Sequence, residues 1–155
     1  MTPNNNSTYS QLSPSPELED FVEIYWEHQN LDDTPNTMTI FPDSFFKLIV
    51  EITDNKIIAY FLTGIWTKEI EIVVPAKTKV YGIKFKILAP EYIFQNEIAS
   101  ILQSHKDLLP DFLSGGELEF NDLDDFVQQI ESLLLERLSR TKKRIKAHKL
   151  QLSQL

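Results

Sequence analysis

Histidine, cysteine, serine and paired carboxylates are where chemistry would start, and this chain arranges few of them usefully. His28, His105 and His148 are its only histidines, and it has no cysteine. No two histidines fall at metal-ligand spacing, and there is no His-x-His pair followed by a Glu and a further His, as a metal-holding β-barrel needs. Thiolate zinc sites, disulfides and cysteine nucleophiles are excluded together, and no metal or other cofactor is expected. Ser44, in "PDSFF", has neither a Gly-x-Ser-x-Gly frame nor a nearby histidine, so it reads as a turn residue. Four glycines build no phosphate loop. Asp32-Asp33 in "NLDDTPN" reads as a solvated loop. The residues support no catalytic centre, and the chain is not expected to be an enzyme.

The aromatic residues are better material. Phenylalanines in predicted strands belong to an ordinary core, but Trp and Tyr carry polar tips that want partners when buried. Trp26, Tyr60, Trp66 and Tyr81 are therefore the candidates to line a cavity for a small organic ligand.

The elements that must position them are mostly strands. Ser15, Pro16 and Glu17 suit the start of a short helix, which hands over to a strand near Val22. From Met38 to Ile87 the signal is β. In "FFKLIVEI" Phe46, Leu48, Val50 and Ile52 share a face. Asp54-Asn55 is a hairpin turn leading into "KIIAYFL". Ile70, Ile72 and Val74 alternate with Glu69 and Glu71. Tyr81, Ile83, Phe85 and Ile87 face inward, with Lys84 and Lys86 outward. Short strands at this spacing predict an α+β chain whose body is an antiparallel β-barrel or sandwich. After Pro90 the period turns helical, with Phe94, Ile98, Ile101 and Leu102 on one face and a stop at Gly115-Gly116. A long C-terminal helix follows from Asp122, capped by Asn121. Its stripe runs through Leu123, Val127, Ile130, Leu134, Leu138, Thr141, Ile145, His148, Leu152 and Leu155. The extra apolar residues Phe126, Leu133 and Leu135 widen the first half, which should pack on the protein's own core.

Charge divides the chain. The net charge is −8, yet Arg137–Leu155 holds seven of the 15 Lys and Arg and none of the 23 Asp and Glu. The acidic body would repel nucleic acid, and only the tail has the sign to attract it. Residues 1–15 are polar and uncharged, unlike a signal peptide, and are expected to be disordered. No window is long and apolar enough for a transmembrane helix, so no membrane is expected. Together with the lack of cysteine, this fits a cytoplasmic protein.

The order of pieces is more informative than any one of them. "SPSPELEDFVEIYW", then "FPDSFFKLIVEI", then "LTG" at 62–64, then "VYGIKF" at 80–85 resembles the N-terminal domain of AraC-type transcriptional regulators. The matching residues are Tyr25, Trp26, Pro42, Asp43, Gly64, Gly82 and Phe85. Ser44 stands where the family has a turn glycine, Lys84 where it has an arginine, and "KILAPEY" replaces an expected Pro-Gly. The resemblance implies a cupin-like fold over residues 16–138, followed by C-terminal helices. It implies a non-catalytic domain that senses a small effector or mediates dimerisation. Residues 139–155 become a basic linker helix toward a DNA-binding domain absent from this chain, so DNA would be bound only through that domain. Leu134, Leu138, Ile145 and Leu152 are the candidate contacts of a homodimer. The competing expectations are a small metal-free β-barrel isomerase or hydrolase, and a stand-alone protein-interaction module using the long helix.

Overall fold

The computed structural model describes residues 6–63, 67–89, 105–106 and 118–153. Eight strands and one long helix account for most of them: β1 (Ser7–Leu12), β2 (Val22–Asn30), β3 (Asn36–Ile40), β4 (Phe46–Thr53), β5 (Lys56–Thr63), β6 (Ile70–Val74), β7 (Lys79–Phe85), β8 (His105–Lys106) and α1 (Leu123–Ser153). A single 3-10 turn, Pro16–Leu18, joins β1 to β2. The strands form an antiparallel six-stranded sheet in the order β1-β2-β7-β4-β5-β8 and a two-stranded sheet, β3-β6. The sheets do not close into a barrel. The architecture is a sandwich-like α+β domain followed by a C-terminal helix.

Two cores lie on opposite faces of the large sheet. On one face Tyr25, Phe46, Leu48, Val50, Tyr81, Ile83 and Phe85 pack against Phe120 and α1, which contributes Leu123, Phe126, Ile130, Leu134 and Leu138. Tyr81 stacks on Phe126 at 4.6 Å between centroids, and Phe120 meets Phe126 edge-on at 5.0 Å. Burying each such side chain contributes about 1.5–3 kcal/mol. On the other face Trp26, Ile49 and Val80 pack against Met38, Ile40 and Val74 of the small sheet. Alternation along β2 serves both cores, Tyr25 on the helix side and Trp26 on the other, and a register irregularity between Val22 and Ile24 puts Val22 on the helix side while Ile24 packs with Trp26. Without that bulge, residues two apart would share a face.

Local chemistry agrees with the strand reading. Asp54 and Asn55 both take positive φ, 53° and 64°, as the tight β4–β5 hairpin requires. The helix cap is Asp122 rather than Asn121: Asp122 Oδ1 accepts the Asp125 N–H at 2.8 Å, and Asp125 Oδ2 accepts the Asn121 N–H at 3.0 Å. These bonds are a capping box moved one residue on. They hold the Asp125 carboxyl below its ordinary pKa, the Asn121 N–H first and the Gln129 side chain second.

Three expectations need correction. Residues Ser7–Leu12 are a strand rather than disordered, because the free edge of β2 offers them a full antiparallel ladder. His105–Lys106 is a two-residue strand on the edge of β5, in a stretch read as helical. Ile87 is half exposed, since β7 ends at Phe85 and a turn follows. The expected helical face of Phe94, Ile98, Ile101 and Leu102 and the stop at Gly115-Gly116 lie outside the described residues.

Candidate functional site

Besides its apolar packing, the helix is tied to the sheet by the carboxylate of Glu131. Glu131 Oε2 accepts the Tyr25 hydroxyl at 3.0 Å and the Ser15 N–H at 2.9 Å, tying α1 to β2 and to the turn before it. Burial, then the Glu131 charge and the hydrogen bond to it, raise the Tyr25 pKa far above the ordinary tyrosine value. Burial likewise raises Tyr81, helped by Glu27. Neither hydroxyl ionises near neutrality.

The opposite face holds the more open feature. A cleft of about 340 Å³ lies where β3 and the segment after it cross β1, β2, β4 and β7. Its lining is Tyr9, Trp26, Met38, Thr39, Ile40, Phe41, Asp43, Lys47 and Lys84. The volume is at the lower end of the roughly 300–1,000 Å³ usual for small-molecule sites. Trp26 is buried and stacks on Tyr9, with ring centroids 6.3 Å apart and planes 23° from parallel. Behind Trp26 lies Gly82, its register partner on β7. A Cβ added there would fall within the indole itself, so only glycine lets the ring lie flat on the sheet.

The polar end of the cleft is a three-residue ion cluster. Lys47 and Lys84 are register partners on β4 and β7, so two ammonium groups project from directly opposed positions. Asp43 lies between them. Lys47 Nζ donates to Asp43 Oδ1 at 2.6 Å, and Lys84 Nζ lies 3.6 Å from Oδ2. The Phe45 N–H also donates to Asp43 Oδ1, at 3.0 Å, so the carboxylate shapes its own turn. Lys47 is buried, and Lys84 also lies 5.9 Å from the Phe45 ring centre. This cluster can hold an anion, and nothing in it is arranged as nucleophile, base and orienting group.

Of the three cavity candidates among the described residues, the structure brings only Trp26 to the cleft. Tyr81 opposes Glu27, the neighbour of Trp26, and therefore points to the helix side, where it stacks on Phe126. Tyr60 packs on that same core, separated from Tyr81 by Val50 in one cross-strand row. Trp66 lies outside the described residues. Sequence reading missed Tyr9, Met38, Asp43, Lys47 and Lys84 as site residues. One signal was available: Lys47 is the lone charge within the first five residues of β4, a strand apolar on both faces.

The dimer candidates also divide. Leu134 and Leu138 are buried in the protomer's own core, so they are not available to a second copy. The side chains of Ile145 and Leu152 lie outside the described residues. Around them Lys142, Lys143, Lys146, Lys149 and Leu150 are exposed, and Lys142, Lys143 and Lys146 border a shallow basic groove with Leu135, Ser139 and Glu17.

Among the described residues no three His, Cys, Asp or Glu side chains gather as a metal-ligand group. Nor is any described helix long and apolar enough to cross a membrane.

Residues 10–107 match a family described as a domain of unknown function, DUF6597. The chain belongs to that family. The DUF6597 segment runs from within β1 to β8 and contains every residue named in the cleft except Tyr9, while α1 lies beyond it. No curated protein and no solved structure matches the chain.

Proposed function

We propose that this chain is the regulatory, non-catalytic part of an AraC-type transcription regulator, built on a cupin-like variant of the two-sheet sandwich. The observation that supports this reading most is a convergence. Trp26 and Asp43, from separate stretches of the family resemblance, line one cleft, and Gly82, from a third, lies directly behind Trp26, while the matching residues Tyr25 and Phe85 pack in the helix-side core. Shared positions gathered at a cleft fit a sensing site.

The helix supports the same reading. Its first half is fixed to the sheet by apolar packing and by Glu131, while its second half is basic and carries exposed lysines. In this proposal 139–155 leads toward two helix-turn-helix motifs. Homodimerisation belongs to the proposal too, through Ile145 and Leu152 rather than the core residues Leu134 and Leu138. Light scattering on this chain and on a version ending at Ser139 tests it: a monomer in both at high micromolar concentration removes the dimer.

The deciding experiment is the gene itself. A reading frame that continues past the Leu155 codon into two helix-turn-helix motifs supports the regulator. A frame that continues into an unrelated domain, or stops, overturns it.

A further inference from the structure

The cleft's charge and shape select among ligands. Its ion cluster has two ammonium groups and one carboxylate, so among the described residues a positive charge is left without a counter-ion of its own. Like charges on opposed strand positions destabilise a sheet unless something neutralises them. Lys47 is buried with its nitrogen on Asp43, while the Lys84 side chain keeps 32% exposure and sits at the longer distance from that carboxylate. Lys84 is thus the cation with capacity left for an incoming anion.

The rest of the lining is mostly apolar, with Thr39 and the Tyr9 hydroxyl its further polar groups. Trp26 and Tyr9 are stacked, Met38 and Ile40 close the side, and Phe41 is 55% exposed at the rim. A sugar or polyol has many hydroxyls to satisfy, and the cleft offers them only Thr39, the Tyr9 hydroxyl and an ion cluster whose carboxylate is already engaged. A cation would be repelled at the polar end. A phosphate dianion would exceed the single charge to be balanced. From the cleft we infer that the ligand is a small monocarboxylate with a planar aromatic body, its carboxylate on Lys84 and its ring in the apolar part of the cleft, beside Met38, Ile40 and the edge of Trp26. This deepens the proposed function, and rests on it in taking the cleft to be a sensing site.

The test is calorimetric titration of the full chain with indole-3-acetate and benzoate, and with the neutral analogues indole-3-acetamide and benzamide. At least one acid is expected to bind, with its amide weaker by about tenfold or more, the scale of one charge-assisted hydrogen bond. Lys84→Gln, at a partly exposed position, is expected to weaken the acid by about tenfold while Lys84→Arg retains it. Circular dichroism verifies that both variants fold. An amide that binds as tightly as its acid, undiminished binding to Lys84→Gln, or no binding by either acid at millimolar concentration would each overturn the assignment. The two readings fail separately. Acid binding by a chain whose gene encodes no helix-turn-helix motifs keeps the ligand and removes the regulator, and the opposite pair of results does the reverse.

Discussion

Trp26 lies flat on Gly82, and the absence of a side chain at 82 is what lets the indole form the wall of the cleft. Gly82→Ala should therefore displace the ring and cost about 1–3 kcal/mol, as overpacking does. In a Trp26→Ala background the same change should cost much less, because the three atoms nearest the added Cβ all belong to that ring. Urea denaturation of the four proteins in this cycle measures the coupling. Additive effects would show that the glycine serves the backbone instead.

Tyr25→Phe removes the hydroxyl that Glu131 accepts and should cost about 1–2 kcal/mol, while Glu131→Ala, which also strands the Ser15 N–H, should cost more. The pH dependence has a definite sign. The folded-state pKa of Tyr25 is raised, so its contribution is complete below the ordinary tyrosine pKa of about 10 and is lost as pH rises above it. Stability should fall above that pH, and less steeply in Tyr25→Phe.

Asp43→Asn leaves Lys47 buried without a counter-ion and beside a second ammonium group. Removing one partner of a buried pair costs about 3–5 kcal/mol; the partial exposure of Asp43 and Lys84 puts the expectation below that range, at about 2–3 kcal/mol. Thermal unfolding of Asp43→Asn, with and without Lys47→Met, measures it. The double variant should recover most of the loss.

His28 is buried on the cleft side of β2, and burial lowers its pKa, partly offset by a hydrogen bond with Asn36. The unfolded chain then takes up a proton near pH 6.5 that the folded chain refuses. Its contribution is present above that pH and is lost as pH falls toward the folded value. Denaturation midpoints at pH 7.5 and 5.5 should therefore differ less in His28→Gln than in the parent. Equal differences would show that other groups set the acid limb.

The basic half of α1 should give this chain only weak, salt-sensitive affinity for DNA. Seven cations in Arg137–Leu155 can neutralise a few phosphates, but among the described residues they lie on one unbroken helix with no second helix to hold it across a groove. Mobility shifts with the gene's upstream region and with scrambled DNA should show equal binding at low salt and none near physiological salt. A retained preference for the upstream region would make the segment a reader of sequence rather than a linker.

Strand positions were legible because alternation is a local signal: β4, β6 and β7 appear where Phe46–Ile52, Ile70–Val74 and Tyr81–Phe85 alternate. The hairpin at Asp54-Asn55 was legible for the same reason. The cleft was not. Its composition depends on which residues of different strands share a face, and that depends on register. Trp26 opposes Gly82, so Tyr81 falls on the other side. No window of β2 or β7 contains that information, and with both faces of the sheet covered, apolar character cannot separate them. Lys84 read as a solvated charge for a related reason: it becomes a site residue only because Asp43, on a separate loop, reaches it.

The sheet order also governs which parts of the molecule open first. β4 and β7 have a strand on each edge and a core on each face, so their amides should exchange with solvent only when the whole domain unfolds. β1 has one ladder, to β2, and most of its side chains are exposed. It can peel away at a small fraction of the global unfolding cost. Tyr9 rides on that strand, so one wall of the cleft belongs to an edge of the sheet that opens readily while Trp26 and Lys84 stay on interior strands. Entry to the cleft then needs no unfolding, only the breathing of six residues at the amino end.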